Sequence, residues 1–240
     1  MFINWENDKT FKWFSTAVEY TGYTEKMADF LLERLPKGGS LYDLGCGMGL
    51  IDFKLYPYFS DITCVDRSEA SINWLENKVS EKNIKNITPV CMDAHLLTEP
   101  KDCIIALFHS NAEDVLKYYL PLAKDTLILV THPRILDSPN EAKNKIRENA
   151  NVTATIKAFD TAGIKYDLFE GSLEYGQPLE SEEDGIQFIK SYGKNMPGET
   201  PEEYLKRNAV ETGREDFPLY LPSQKKFGMF TVRKLTTVEP

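Results

Sequence analysis

The chain has 240 residues, 42% of them hydrophobic, and its 28 Lys and Arg against 37 Asp and Glu leave a formal net charge of -9. This is enough apolar material for a full core, while the acidic balance disfavours nucleic acid, whose phosphates call for clustered Lys and Arg. No apolar run approaches the roughly 18 residues of a membrane span, and "MFINWENDKTFKWF" lacks the basic-then-apolar order of a signal peptide, so a cytoplasmic protein with no membrane partner is expected.

In chain order, the first segment is dense in aromatics (Trp5, Phe11, Trp13, Phe14, Tyr20, Tyr23) and needs a place of its own to pack. A helix is expected over about 24–35, where Met27, Phe30, Leu31 and Leu35 share a face, and another over about 69–82. Between and beyond them run "SLYDLG", "DITCVD", "NITPVCMD", "CIIALFHS" and "TLILVTH", short apolar and β-branched stretches that read as strands. Strands apolar on both faces, alternating with helices, imply a mostly parallel sheet covered on either side. Helix starts are marked by Ser110 with Glu113, Ser138 with Pro139 and Glu141, and Thr200 with Pro201 and Glu203. "IKYDLFEGSLEYGQPL" reads as a sixth strand running into a loop, and "KFGMFTVRK" as a seventh. The segment between them is too long for a hairpin and holds two capped helices. Cys46, Cys64, Cys91 and Cys103 show no CxxC spacing and read as reduced, buried small hydrophobes, with no metal site.

In "LYDLGCGMGL", Gly45, Gly47 and Gly49 form a turn directly behind the first strand. Glycine permits positive φ and lets a ligand lie on bare backbone, while amides opening the next helix favour a negative group. A dinucleotide turn, GxGxxG, would need glycine where the chain has Leu50. Asp43, two residues before the first glycine, would repel a pyrophosphate and suit an amine. A ligand carrying an ammonium, a carboxylate and a nucleoside fits both ends of such a site.

At "DLGCGMG" the chain resembles the class I (Rossmann-like) S-adenosylmethionine-dependent methyltransferases, over residues 40–134 and more vaguely outside. The resemblance implies an α/β fold: a doubly wound, mostly parallel seven-stranded sheet with helices on both faces, plus an N-terminal helical segment and a helical insert before the last strand. It implies S-adenosylmethionine as cofactor, with Asp43 and Gly45, Cys46 and Gly47 facing its methionine part. Asp66, ending "ITCVD", would take the ribose hydroxyls, with Arg67 beside the adenine, and Met92, Asp93 and Ala94 would border the adenine. Asp66 also reads as the N-terminal charge of the helix starting near Ser68, a use worth typically 0.3–1 kcal/mol. "FHSN" stands at the family's fourth motif and is not the NPPY of amino-methylating nucleic-acid enzymes.

His95, His109 and His132 all follow carboxyl ends of strands, on the ligand side of the sheet. Methyl transfer mainly needs positioning and desolvation, so a base is optional; His109 is the best-placed candidate catalytic residue if the acceptor must lose a proton. Trp13, Tyr20 and Tyr23, with His132, are candidates for the acceptor side, the aromatics covering a cation; packing of an N-terminal helix is an equal reading of them. The expected organisation is one methyltransferase domain with a cap at 1–38, a core at 39–178, a helical lid at 179–224, and the last strand and tail at 225–240. The leading function is methylation of a small molecule. Methylation of a protein or RNA, and a non-catalytic cofactor-binding module, stay open, as do the acceptor and the oligomeric state.

Overall fold

A computed structural model describes residues 8–134, 149–192 and 198–234. The strands are β1 Ser40–Leu44, β2 Asp61–Asp66, β3 Ile87–Cys91, β4 Lys101–Leu107, β5 Ala123–Thr131, β6 Asp167–Glu174, β7 Gln177–Leu179, β8 Val210–Glu211, β9 Leu219–Leu221 and β10 Gln224–Arg233. The helices are α1 Asp8–Thr21, α2 Tyr23–Leu32, α3 Asp52–Leu55, α4 Glu69–Glu81, α5 Ala112–Asp114, α6 Val152–Thr161, α7 Glu182–Ser191 and α8 Pro201–Asn208. The chain divides into two compact units: a smaller one reaching to Thr24 and taking up Ser172–Lys225, and a larger one of Glu25–Gly171 with the chain from Lys226 onward.

The larger unit is built on the seven-stranded sheet β3-β2-β1-β4-β5-β10-β6. β1 runs parallel to β2 and β4, as do β2 to β3 and β4 to β5, while β10 lies antiparallel to β5. The near-continuous apolar strands are buried on both faces: Leu41, Leu44, Ile104, Ile105, Leu127 and Leu129 are fully buried. Strand order reverses between β1 and β4, which opens a crevice at their carboxyl ends where ligands of such sheets sit.

Most expected helix signals hold. Ser68 caps α4, its hydroxyl accepting from the Ser71 amide at 3.3 Å. In α8, Thr200 accepts from the Glu203 amide at 3.2 Å while the Glu203 carboxylate takes the Thr200 amide at 2.8 Å. The start expected at Ser110 shifts by one residue. Asn111 is the cap, its side-chain oxygen accepting from the Asp114 amide at 3.0 Å and its amide nitrogen donating to the Asp114 carboxylate at 2.9 Å. A carboxamide supplies that acceptor and donor from two separate atoms, one for the amide and one for the carboxylate of the same residue. The start at Ser138 lies outside the described residues. Two of the cysteines, Cys64 and Cys103, are buried as expected, but Cys91, at the end of edge strand β3, is exposed.

The smaller unit is not purely helical. Beside α1, α7 and α8 it holds an antiparallel sheet, β7-β9-β8, whose strands are two or three residues long, too short to show a period of two in sequence. Its core is Leu179, Ile189, Leu205 and Leu221. The N-terminal aromatics pack within this unit: Trp13 meets Phe188 edge-on at 5.4 Å, Tyr20 stacks on Tyr220 at 5.1 Å, and Tyr23 meets Tyr175 at 4.9 Å. Trp5 lies outside the described residues.

Candidate functional site

The crevice begins with the glycine turn. Gly45, Gly47 and Gly49 have φ of +69°, +55° and +61°, the left-handed conformation that side chains rarely adopt. The amides of Gly45 and Cys46 both donate to the Val65 carbonyl, at 2.8 and 3.2 Å, so the turn is tied to the carboxyl end of β2. Asp66 adds a second tie: one carboxylate oxygen accepts from the Gly47 amide and the other from the Ser68 amide, each at 2.8 Å. It therefore braces the turn and orders the start of α4 from a single side chain.

The residues expected to border a nucleoside gather beside it. The Met92 amide donates to the Asp66 carbonyl at 3.0 Å, which brings the end of β3 against the end of β2. Asp93 accepts from the His95 amide at 3.0 Å and lies 3.9 Å from the exposed Arg67 guanidinium. The His95 amide, with the His95 and Arg67 charges behind it, holds the Asp93 carboxyl below the usual carboxylate range. Ala94 is buried beneath them.

His109 enters from the end of β4. A Cβ on Gly45 would stand 2.1 Å from its Cγ and 2.3 Å from its Nδ1, so the imidazole lies directly on the glycine backbone. Its other nitrogen, Nε2, is 3.4 Å from the buried Tyr119 hydroxyl. His109 is exposed at the mouth of the crevice, and partial desolvation by the atoms packed around the ring lowers its pKa below 6.5, with Asp66 working the other way. Two irregularities put it there. Phe108, just before it, has φ of +56°, an outlier for a bulky residue, and Tyr119 ends a π-helical turn at Val115–Tyr119. His132, at the end of β5, meets the Phe108 ring at 5.3 Å, and His95 stacks on Tyr118 at 4.2 Å while lying 3.7 Å from Asp114.

Asp43 lies beneath the turn and is 2% exposed. Its companion was not evident from sequence: Asp52, the first residue of α3, is fully buried, and its Oδ2 would be 3.1 Å from a Cβ on Gly49. The helix after the turn is thus four residues long and starts with an acid, which suits a cationic ligand better than the anion its amides would otherwise favour. Neither Asp52 oxygen has a conventional donor; the Asp43 carboxyl and the Cys64 thiol face it. Burial, followed by the Asp52 charge, raises the Asp43 carboxyl well above its ordinary range. Contact with Cys64 lowers the Cys46 pKa, but burial and the surrounding carboxylates outweigh it and push the thiol up to about 12, so both thiols stay protonated.

Bare glycine backbone, buried carboxyl groups faced by acids and thiols, and a further acid at the end of β2 fit a ligand bearing an ammonium, a sulfonium and a nucleoside. They do not fit a pyrophosphate. Of the acceptor-side candidates, His132 belongs to this crevice, whereas Trp13, Tyr20 and Tyr23 belong to the smaller unit. There Trp13 donates its indole N–H to Asp184 at 3.0 Å and lines a groove of about 500 Å³ with Lys12, Gln177, Glu180 and Phe217. Among the described residues no group of His, Cys, Asp and Glu is arranged for a metal ion, and no helix is long and apolar enough to cross a membrane.

Residues 41–124 match the family described as "Methyltransferase domain". No curated protein matches the chain in sequence. Among solved structures, the magnesium protoporphyrin IX methyltransferase of Synechocystis PCC 6803, solved with S-adenosylmethionine bound, is 15% identical over 90% of this chain and 81% of its own, with a TM-score of 0.54. Geranyl diphosphate C-methyltransferase of Streptomyces coelicolor is 13% identical over 88% and 77%, TM-score 0.54. Precorrin-6y C5,15-methyltransferase of Geobacter metallireducens is 10% identical over 87% and 89%, TM-score 0.51. These likenesses show the fold, and the domain match covers the glycine turn and the strands around it, from β1 to the start of β5.

Proposed function

We propose that this protein transfers the methyl group of S-adenosylmethionine to a small-molecule acceptor, with His109 as the residue nearest the chemistry. The observation that carries the reading is the seat of His109: an imidazole lying on Gly45, at the point where the glycine turn would hold the cofactor's amino-acid end. When bound, the cofactor supplies a methyl group already activated on sulfonium, so the protein's part is to position, to exclude water and, where the acceptor requires it, to remove a proton. Asp43 balances cationic charge from below the turn. Asp66 braces the turn through Gly47 and Ser68 and keeps lone pairs for ribose hydroxyls. Arg67, Met92, Asp93 and Ala94 form the adenine side.

His109 is predominantly neutral above pH 6.5 because partial desolvation lowers its pKa, and a neutral imidazole can accept a proton from a hydroxyl or ammonium acceptor. In the crevice the candidate for the acceptor is His132; in the smaller unit, taken by itself, Trp13 is a candidate lining its groove, and Tyr20 and Tyr23 support that unit through their contacts with Tyr220 and Tyr175. A small acceptor is favoured by the acidic net charge and by the porphyrin and isoprenoid acceptors that the names of two structural neighbours state. The test is calorimetric titration with S-adenosylmethionine and NAD, followed by transfer of labelled methyl to fractionated metabolites. S-adenosylmethionine should bind and a metabolite fraction should take label. Preferential binding of NAD would refute the cofactor reading, and binding without labelling any fraction would leave a cofactor module in place of an enzyme.

A further inference from the structure

The least expected feature of the site is the second acid under the turn. Asp43 and Asp52 are 2% and 0% exposed, on β1 and at the start of α3, and their carboxyl groups face each other. The other titratable groups facing them are Asp66 from the end of β2, Cys46 from the turn and Cys64 from β2, while α4 presents the apolar Leu75 beneath Gly49. All of these are acids or neutral thiols. Two carboxylates cannot both ionise in such a place, so the pair titrates as a unit.

We propose that Asp43 and Asp52 hold one proton between them in the free protein, and that seating S-adenosylmethionine over the glycine turn expels it, which makes Asp52 a positioning residue that acts through Asp43. The inference rests on the cofactor reading above. The balance is simple: the carboxylic O–H bond breaks, the proton passes to buffer, the pair goes from one negative charge to two, and the bound cation compensates the second. No electrons are exchanged. Asp52 thereby sets the charge that Asp43 presents, and binding becomes coupled to pH.

The pair is testable without ligand. Both carboxyls are raised above the ordinary 3.8 by burial. A group whose folded pKa is raised contributes stability that is full below its unfolded pKa and lost as pH rises through the folded value. The melting temperature of the free full chain should therefore fall between pH 5 and pH 8, and Asp52→Asn should flatten that fall. Coincident profiles for the two proteins would overturn the shared proton.

The coupling is read by titrating S-adenosylmethionine into the wild-type chain at pH 7.5, in two buffers of different ionisation enthalpy. His109 is neutral at that pH and contributes little. The two enthalpies should differ by the release of up to about one proton, with Kd tightening by up to about tenfold per pH unit. Asp52→Asn should abolish both effects. Equal enthalpies with normal binding would overturn the proposal, and since this arm needs only the wild type, a variant that fails to fold does not blunt it. A wild type with the pH-dependent melt that binds no S-adenosylmethionine would refute the cofactor reading and the expulsion step, leaving the shared proton established.

Discussion

The imidazole of His109 occupies the volume that a Cβ on Gly45 would need, so the two residues fit together only while position 45 is bare. Gly45→Ala should push the ring aside and also strain a backbone at φ +69°, at a cost of about 1–2 kcal/mol for the left-handed conformation alone. Thermal melting should show the destabilisation, and cofactor titration should show a loss beyond it. A variant that melts lower but binds and turns over normally would mean that the His109 contact has no functional weight.

Asp66 spans two amides with two oxygens, and an asparagine has only one acceptor oxygen to offer. Asp66→Asn should therefore free either Gly47 or Ser68 and remove a charge-assisted bond worth about 1.5–3 kcal/mol. The expected result is a cofactor Kd weakened by about ten- to hundredfold. Retained affinity would confine Asp66 to bracing the turn.

Tyr119 reaches His109 Nε2 from the opposite side to Gly45. Burial raises its own pKa, so it stays a phenol across the working range. If His109 accepts the acceptor's proton, kcat/KM should rise with pH along a limb centred below 6.5, because the imidazole must be deprotonated. Tyr119→Phe should shift that limb and lower kcat by about two- to tenfold, the equivalent of one neutral hydrogen bond. A profile flat from pH 5 to 8 in both proteins would show that no base is needed.

What the sequence discloses about this site is what lies close together in it. The strand runs are readable because burial on both faces demands unbroken apolar residues, and the turn is readable because three left-handed positions demand glycines within five residues. Asp66 and Asp93 follow strand ends and can be located by counting. Asp52 is different: it lies three residues past Gly49, where a polar residue would ordinarily be taken for a solvated one, and only the folded chain turns it under the sheet toward Asp43. Tyr119 is hidden for a related reason, since its approach to His109 depends on a π-turn whose extra residue breaks the helical period used to assign faces. The strands β7, β8 and β9 carry too few residues to express any period.

That π-turn makes chain length itself part of the site. Val115–Tyr119 holds one residue more than an α-helical course would, and exposed Lys117 lies within it. The wider π-turn absorbs that residue, its five residues covering about the revolution that four cover in an α-helix, so Tyr119 still comes round to His109. Removing Lys117 should therefore leave the His109 contact nearly intact, whereas a further inserted residue, which the turn has no room to absorb, should rotate Tyr119 by about 100° away from it.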